Sequence, residues 1–204
     1  MRRATRSTLV VLLVVLALAA CSHMSRGSGW VTLIDGESGL ENWTIGDANW
    51  RATGGAITAD QGKGGYLVSK TPYSDFEIRA EFWAETDTNS GIFIRCADPT
   101  KIDAKLCYEV NIWDIRPEPK YGTGAIVDVA AVPVPIANKA GGRWNVYEIT
   151  AKGNQLTVKL NGVQTASVQD GKHASGPFAL QYGSGVQGAR GGVIKWRKVQ
   201  IRPL

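Results

Sequence analysis

Beyond Trp30 the chain carries no long apolar pattern near a period of 3.6 residues. Apolar and polar residues instead alternate with period two, in short runs between clusters of Gly, Asn, Asp and Pro. Such alternation places every second side chain on one face of a strand, so the pattern commits the chain to half-buried β-strands. The clearest runs are Phe76 to Trp83, Gly91 to Cys96, Cys107 to Asp114, Asn145 to Lys152, Gln155 to Gly162, Phe178 to Gly183 and Val193 to Ile201. Gly153-Asn154 and Asn161-Gly162 supply the positive φ that hairpin turns require. Many short strands at this spacing imply an all-β fold, with two antiparallel sheets packed as a sandwich or jelly roll. The Ala-, Val-, Pro- and Gly-rich segment from Gly122 to Gly142 reads as a long loop at the mouth of a sheet.

The same alternation assigns faces. With Ile92 and Ile94 in the core, Arg95 stands on the opposite, open face, and Tyr108, Val110 and Ile112 inward leave Glu109, Asn111 and Trp113 outward. Phe178, Leu180 and Tyr182 inward turn Gln181 outward. Phe76, Ile78, Ala80 and Phe82 inward expose Glu77, Arg79, Glu81 and Trp83. The predicted open face therefore collects carboxylates, guanidiniums, amides and indoles. That mixture suits a sugar, whose hydroxyls take charged and amide partners and whose CH faces stack on aromatic rings. A solvated sheet face stabilised by cross-strand ion pairs carries the same alternation.

The N-terminus tells a different story. Arg2, Arg3 and Arg6 precede an apolar run from Leu9 to Ala20, which at about twelve residues falls short of the roughly 20 that a spanning helix needs. Residues 1–20 read as a signal peptide, and Leu18-Ala19-Ala20-Cys21 resembles a bacterial lipobox with Cys21 as the lipidated residue. The expected product is exported and held in the cell envelope by its acyl chains. Ser22 after the cysteine resembles an outer-membrane address, with the domain facing the periplasm. Residues 21–29 form a Ser- and Gly-containing tether, and residues 30–204 suffice for one domain with a sizeable core. Removing the leader takes three of the 23 basic residues and none of the 18 acidic ones, so 20 minus 18 leaves +2. That charge is no nucleic-acid footprint. Cys96 and Cys107 bracket a short polar loop, and an oxidising compartment favours their pairing as a disulfide. Two cysteines without nearby histidines make a poor zinc site.

An ordered series of motifs spans nearly the whole mature chain: Leu33 to Trp43, Tyr73 to Trp83, Asn89 to Arg95, Tyr108 to Asp114, Gly122 to Ile126, Arg143 to Val163 and Gly176 to Gly183. In this order they resemble the 3-keto-disaccharide hydrolase domain family. The resemblance implies a concanavalin- or laminin-G-like jelly roll and cleavage of a glycoside already oxidised to a ketone at sugar carbon 3. Asn111 stands where the family commonly has Gln, and Tyr182 where many members have His. A ketone at carbon 3 acidifies the hydrogen at carbon 2, so a carboxylate can remove it and the enolate can expel the aglycone from carbon 1. This differs from the two-carboxylate oxocarbenium route.

On this reading Glu109 is the base and Arg95 holds the enolate or a hydroxyl. Asn111, Trp113, Asp114, Gln181, Tyr182, Trp83 and Glu81 are candidate substrate contacts, with Asp114 equally a turn residue. His23 and His173 lie in polar segments and are not assigned to catalysis. A divalent cation could polarise the ketone, but no ligand spacing in the sequence specifies one, and the metal requirement stays open. The alternative function is a non-catalytic carbohydrate-binding or envelope interaction module.

Overall fold

The computed structural model describes residues 29–185 and 191–204. The expected signal peptide, Cys21, His23 and the expected tether up to residue 28 lie outside the described residues. Among the described residues thirteen strands follow in order: β1 (Val31–Asp35), β2 (Trp43–Ile45), β3 (Arg51–Thr53), β4 (Ala56–Ala59), β5 (Gly65–Ser69), β6 (Phe76–Ala84), β7 (Ser90–Ile94), β8 (Tyr108–Ile112), β9 (Arg143–Lys152), β10 (Gln155–Leu160), β11 (Val163–Gln169), β12 (Ala179–Tyr182) and β13 (Ile194–Pro203). They form two antiparallel sheets, a jelly-roll sandwich. The eight-stranded sheet runs β11-β10-β9-β6-β13-β4-β3, with β1 also paired to β13, and the five-stranded sheet runs β2-β5-β12-β7-β8.

The alternation that predicts strands also builds the core. Phe76, Ile78, Ala80 and Phe82 of β6, Tyr147 and Ile149 of β9, and Trp196, Val199 and Ile201 of β13 meet Ile92, Ile94, Tyr108, Val110, Ile112, Leu180 and Tyr182 from the facing sheet. Phe82 sits 5.1 Å from Tyr147 and 5.7 Å from Trp196 between ring centroids. The Tyr147 hydroxyl ties the sheets together, accepting from Gly124 N (2.9 Å) and donating to Asn111 O (2.6 Å). At the β10–β11 hairpin Asn161 and Gly162 both take positive φ (52° and 81°), the geometry their dipeptide favours.

Two features depart from the sequence reading. The segment following Gly122 is not simply a loop at the sheet's mouth. It runs beside β8, with Asn111 N donating to Ala125 O (3.0 Å), Gly124 N to Asn111 O (3.1 Å) and Val127 N to Glu109 O (3.0 Å), so it covers what would be an open sheet edge. Second, the open face assembled by parity is in fact two faces. β6 belongs to the eight-stranded sheet while β7, β8 and β12 belong to the five-stranded one. Glu81 and Trp83 therefore stand on the opposite side of the sandwich from Glu109.

Candidate functional site

The outer face of the five-stranded sheet is laid out by register. One row runs Val68, Ala179, Phe93, Glu109 across four strands. Beside it lie the pairs Tyr66–Gln181 and Gly91–Asn111. Gly91 leaves a gap in this surface: a Cβ there would lie 3.6 Å from both Gln181 Oε1 and Glu109 Cγ, and 2.9 Å from Val110 O. Glycine within a strand weakens it, and here it opens the floor between an amide and a carboxylate.

Glu109 is 8% exposed. Burial pushes its carboxyl up to about 7, opposed by the charge of Arg116 and assisted by that of Asp128. Its carboxylate takes no hydrogen bond or ion pair among the described residues, which is costly for a buried charge. Two neighbouring acceptors, Gln181 Oε1 and Asn111 Oδ1, are also buried without a partner among the described residues. The Asn111 side chain is oriented by its own amide, which donates to Tyr121 O (2.6 Å). Tyr66 lies beside the Gln181 amide, and burial pushes its phenol up. The Tyr66 ring meets Phe93 edge-on at 5.4 Å. The Arg116 guanidinium lies over the Trp113 indole at 5.5 Å, and its buried Nε has no partner among the described residues. The site thus presents a carboxyl of near-neutral proton affinity, two free carbonyl acceptors, a phenol and a cation.

The remaining candidates sit elsewhere. Arg95 does not share the Glu109 face. Its φ of 52° breaks the alternation after β7, so the side chain runs inward at 1% exposure. There its guanidinium donates to Ser74 O (2.7 Å), Gly153 O (2.7 Å), His173 O (3.3 Å) and Asp75 Oδ1 (3.0 Å), which makes it a structural clamp. Asp114 accepts from Thr123 Oγ1 (2.6 Å), Ala140 N (3.0 Å) and Gly141 N (2.8 Å), pinning the end of the Gly122–Gly142 segment. Tyr182 faces the core at 2% exposure. On the far face Glu81 pairs with Arg197 (2.8 Å), and Lys195 covers Trp83 at 4.9 Å. His173 packs edge-on against Tyr108 at 5.0 Å, beside the Arg95 clamp.

The left-handed turn at Arg95 also brings the cysteines together. It directs Cys96 outward, onto the face Cys107 already occupies, and the two are joined by a disulfide with Cα atoms 4.2 Å apart. They pack with Val68, Phe93 and Ala179, with Tyr66 and Ile102 against them. The loop they close therefore walls the site on the Phe93 side. Among the described residues no group of three or more His, Cys, Asp or Glu side chains is arranged to hold a metal ion.

Sequence reasoning passed over Tyr66, Gly91 and Arg116. A glycine interrupting an alternating run is a recognisable sign of close approach, whereas Arg116 lies in a turn with no periodicity to place it.

A family model described as the 3-keto-alpha-glucoside-1,2-lyase-like domain matches residues 29–202. No curated protein matches the chain. Among solved structures, a candidate glycosyl hydrolase from Parabacteroides distasonis ATCC 8503 aligns with a TM-score of 0.67 and 23% identity, covering 86% of this chain and 99% of that one. Lectin I-B4 from Griffonia simplicifolia, in its metal-free form, aligns at 0.60 and 14%, covering 84% and 98%. Carbohydrate-binding module CBM66 from Bacillus subtilis aligns at 0.51 and 16%, covering 84% and 94%. At these identities the likeness to solved structures establishes the fold and leaves the chemistry to the site.

Proposed function

Because the chain belongs to the 3-keto-alpha-glucoside-1,2-lyase-like domain family, we propose that it cleaves glycosides whose sugar ring carries a ketone at carbon 3, with Glu109 as the base. The observation that carries this reading is the buried Glu109 carboxyl, pushed up to about 7 and without a hydrogen bond among the described residues. A base of that affinity is ionised in part at neutral pH yet still holds a proton firmly, which is where general-base catalysis is most effective. The ketone acidifies the carbon-2 hydrogen. Glu109 takes that proton, the electron pair moves to the carbon-3 oxygen as an enolate, and collapse of the enolate breaks the bond from carbon 1 to the aglycone oxygen. The aglycone departs with a proton from solvent; hydroxide from water then adds at carbon 1 of the unsaturated ketone, its proton going to solvent, and Glu109 returns its proton to carbon 2.

Arg116 replaces Arg95 in this reading as the cation beside the developing negative charge. Held over Trp113 with an unpartnered Nε, it needs little rearrangement to answer charge in a site of low dielectric. Gln181 Oε1 and Asn111 Oδ1 accept from ring hydroxyls in the gap above Gly91. These same acceptors favour a second reading, sugar binding without cleavage, since they serve a bound ring whether or not Glu109 reacts.

One assay separates the two. The protein is incubated with a 3-keto-glucoside, with and without a chelator, and aglycone release is followed. The wild type is expected to release it, and Glu109→Gln to be slower by roughly two to four orders of magnitude with binding retained. Saturable binding with no release by the wild type would favour the second reading.

A further inference from the structure

The opposite side of the sandwich has a chemistry of its own that the glycoside reading does not use. On the outer face of the eight-stranded sheet, β13 alone presents Lys195, Arg197, Lys198 and Arg202, because the bulge between Trp196 and Lys198 turns two adjacent residues outward. Arg79 of β6, Lys152 of β9 and Lys159 of β10 add to them, against Glu77, Glu81 and Glu148. Asp35 of β1, which pairs with Lys198 (4.0 Å), is a fourth acid, so seven bases minus four acids gives this face +3. Residues 29–204 as a whole hold 19 of the 23 basic residues and all 18 acidic ones, a net +1, so the rest of the body is negative.

Three tryptophans lie among these charges, each with a cation against its ring: Trp30 under Arg202 (4.9 Å), Trp83 under Lys195 (4.9 Å) and Trp144 under Arg197 (4.3 Å). Arg79, Lys152 and Lys159 form no ion pair among the described residues. A hollow of about 470 Å³ opens between Trp30, Arg79, Glu148, Lys159, Gln200 and Arg202. The chain enters the fold at this hollow, since Gly29 lies against Arg202 and Trp30 lines the wall.

We propose that this face docks on an anionic phospholipid surface, with the tryptophans at headgroup depth and a lipid headgroup in the hollow between Arg79 and Lys159. Indoles favour the membrane–water interface because one end is apolar and the other wet. Basic side chains near a negative leaflet each add to the attraction. Gly29 and Trp30 lie at the same hollow, so an anchor on the segment before them, as the sequence leads one to expect, would bring this face rather than the Glu109 face toward the membrane. Docked this way, the Glu109 site points away from the bilayer and stays open to soluble glycosides. The inference is independent of the catalytic reading.

The test uses a form beginning at Gly29, which retains all thirteen strands and carries no lipid. It is sedimented with vesicles of phosphatidylcholine alone and with vesicles in which phosphatidylglycerol makes up about a third of the lipid. Binding is expected only to the second, and is expected to fade at high salt. Each basic side chain removed should weaken binding about five-fold, so Arg79→Gln with Lys159→Gln should lose roughly thirty-fold. Trp83→Ala with Trp144→Ala, at partly exposed positions away from the hollow, gives an independent loss, while Glu109→Gln binds as the wild type does. Equal binding to both vesicle types overturns the proposal. So does indifference to the Arg79 and Lys159 changes, or displacement from the vesicles by a soluble acidic polysaccharide, which would make the face a glycan site.

Discussion

Glu109→Gln removes a charge that the fold holds at a cost, and the size of that cost follows from where the carboxyl titrates. In an unfolded chain it ionises near its ordinary value of 4.5, and in the fold at about 7. Below the lower value both states keep the proton and there is no penalty. Between the two values the unfolded chain releases its proton while the fold retains it, so stability falls as pH rises; above about 7 the penalty is complete. Each pH unit of separation is worth about 1.4 kcal/mol, so ionising Glu109 in place costs on the order of 3 kcal/mol. Glutamine keeps the shape without titrating. Urea denaturation of both proteins should therefore show their stability difference moving in the variant's favour by about 2 to 3 kcal/mol between about pH 4.5 and pH 8, because every other group titrates alike in the two. The same ionisation should appear as a rise of wild-type kcat/KM through about pH 7. A stability difference that stays flat across this range would refute the buried-carboxyl reasoning, whatever the substrate proves to be.

Three further outcomes are expected. Arg95→Met, which strands three carbonyls that the guanidinium now serves, should cost on the order of 3 kcal/mol in denaturant unfolding while the turnover of the folded fraction stays near wild type; a large kcat defect in folded protein would return Arg95 to the catalytic machinery. Gly91→Ala, whose methyl would crowd Val110 O, Gln181 and Glu109, should raise KM by about ten-fold or more and cost roughly 1 to 3 kcal/mol of stability, with calorimetry and steady-state kinetics as the two readouts. Replacing Cys96 and Cys107 together by Ser should cost about 3 kcal/mol, the loop-entropy value for a span of this length, and should loosen the wall on the Phe93 side. Thermal melts with and without reductant check this.

Much of the fold was legible because alternation is a local property. β6 to β10, β12 and β13 follow from it, as do the core residues that each contributes and the turns at Gly153-Asn154 and Asn161-Gly162. Alternation assigns a side chain to one of two faces of its own strand, but it says nothing about which sheet the strand joins. Glu81 and Trp83 were grouped with Glu109 on that account, although β6 pairs with β9 and β13 and not with β7 or β8. Arg95 failed for a different reason. A non-glycine residue at φ 52° is rare, and a period-two count runs straight through it. By the same count Cys96 and Cys107 have opposite parity, and the single left-handed residue between Ile94 and Cys96 brings them onto one face. Glu109, Asn111 and Gln181 were placed on one face correctly because their strands are neighbours in one sheet. Arg116 reaches the site from a turn, where no period operates, and only three-dimensional structure locates it.

The last strand among the described residues occupies a central place. β13 lies in the middle of the eight-stranded sheet, against β6 on one side and against β4 and β1 on the other; its partners reach back as far as Val31, which pairs with Ile201. Until residues 194–203 are available the large sheet is split in two, and neither half can bury its apolar side against a continuous partner. Such long sequence separation makes for slow folding, on the millisecond-to-second scale of other sandwiches. A chain emerging from the ribosome N-terminus first is thereby kept from completing its sandwich until β13 has emerged. Removal of β13 would take away its pairing with β1, β4 and β6 and leave unzipped edges, so it should produce aggregation rather than a smaller stable domain.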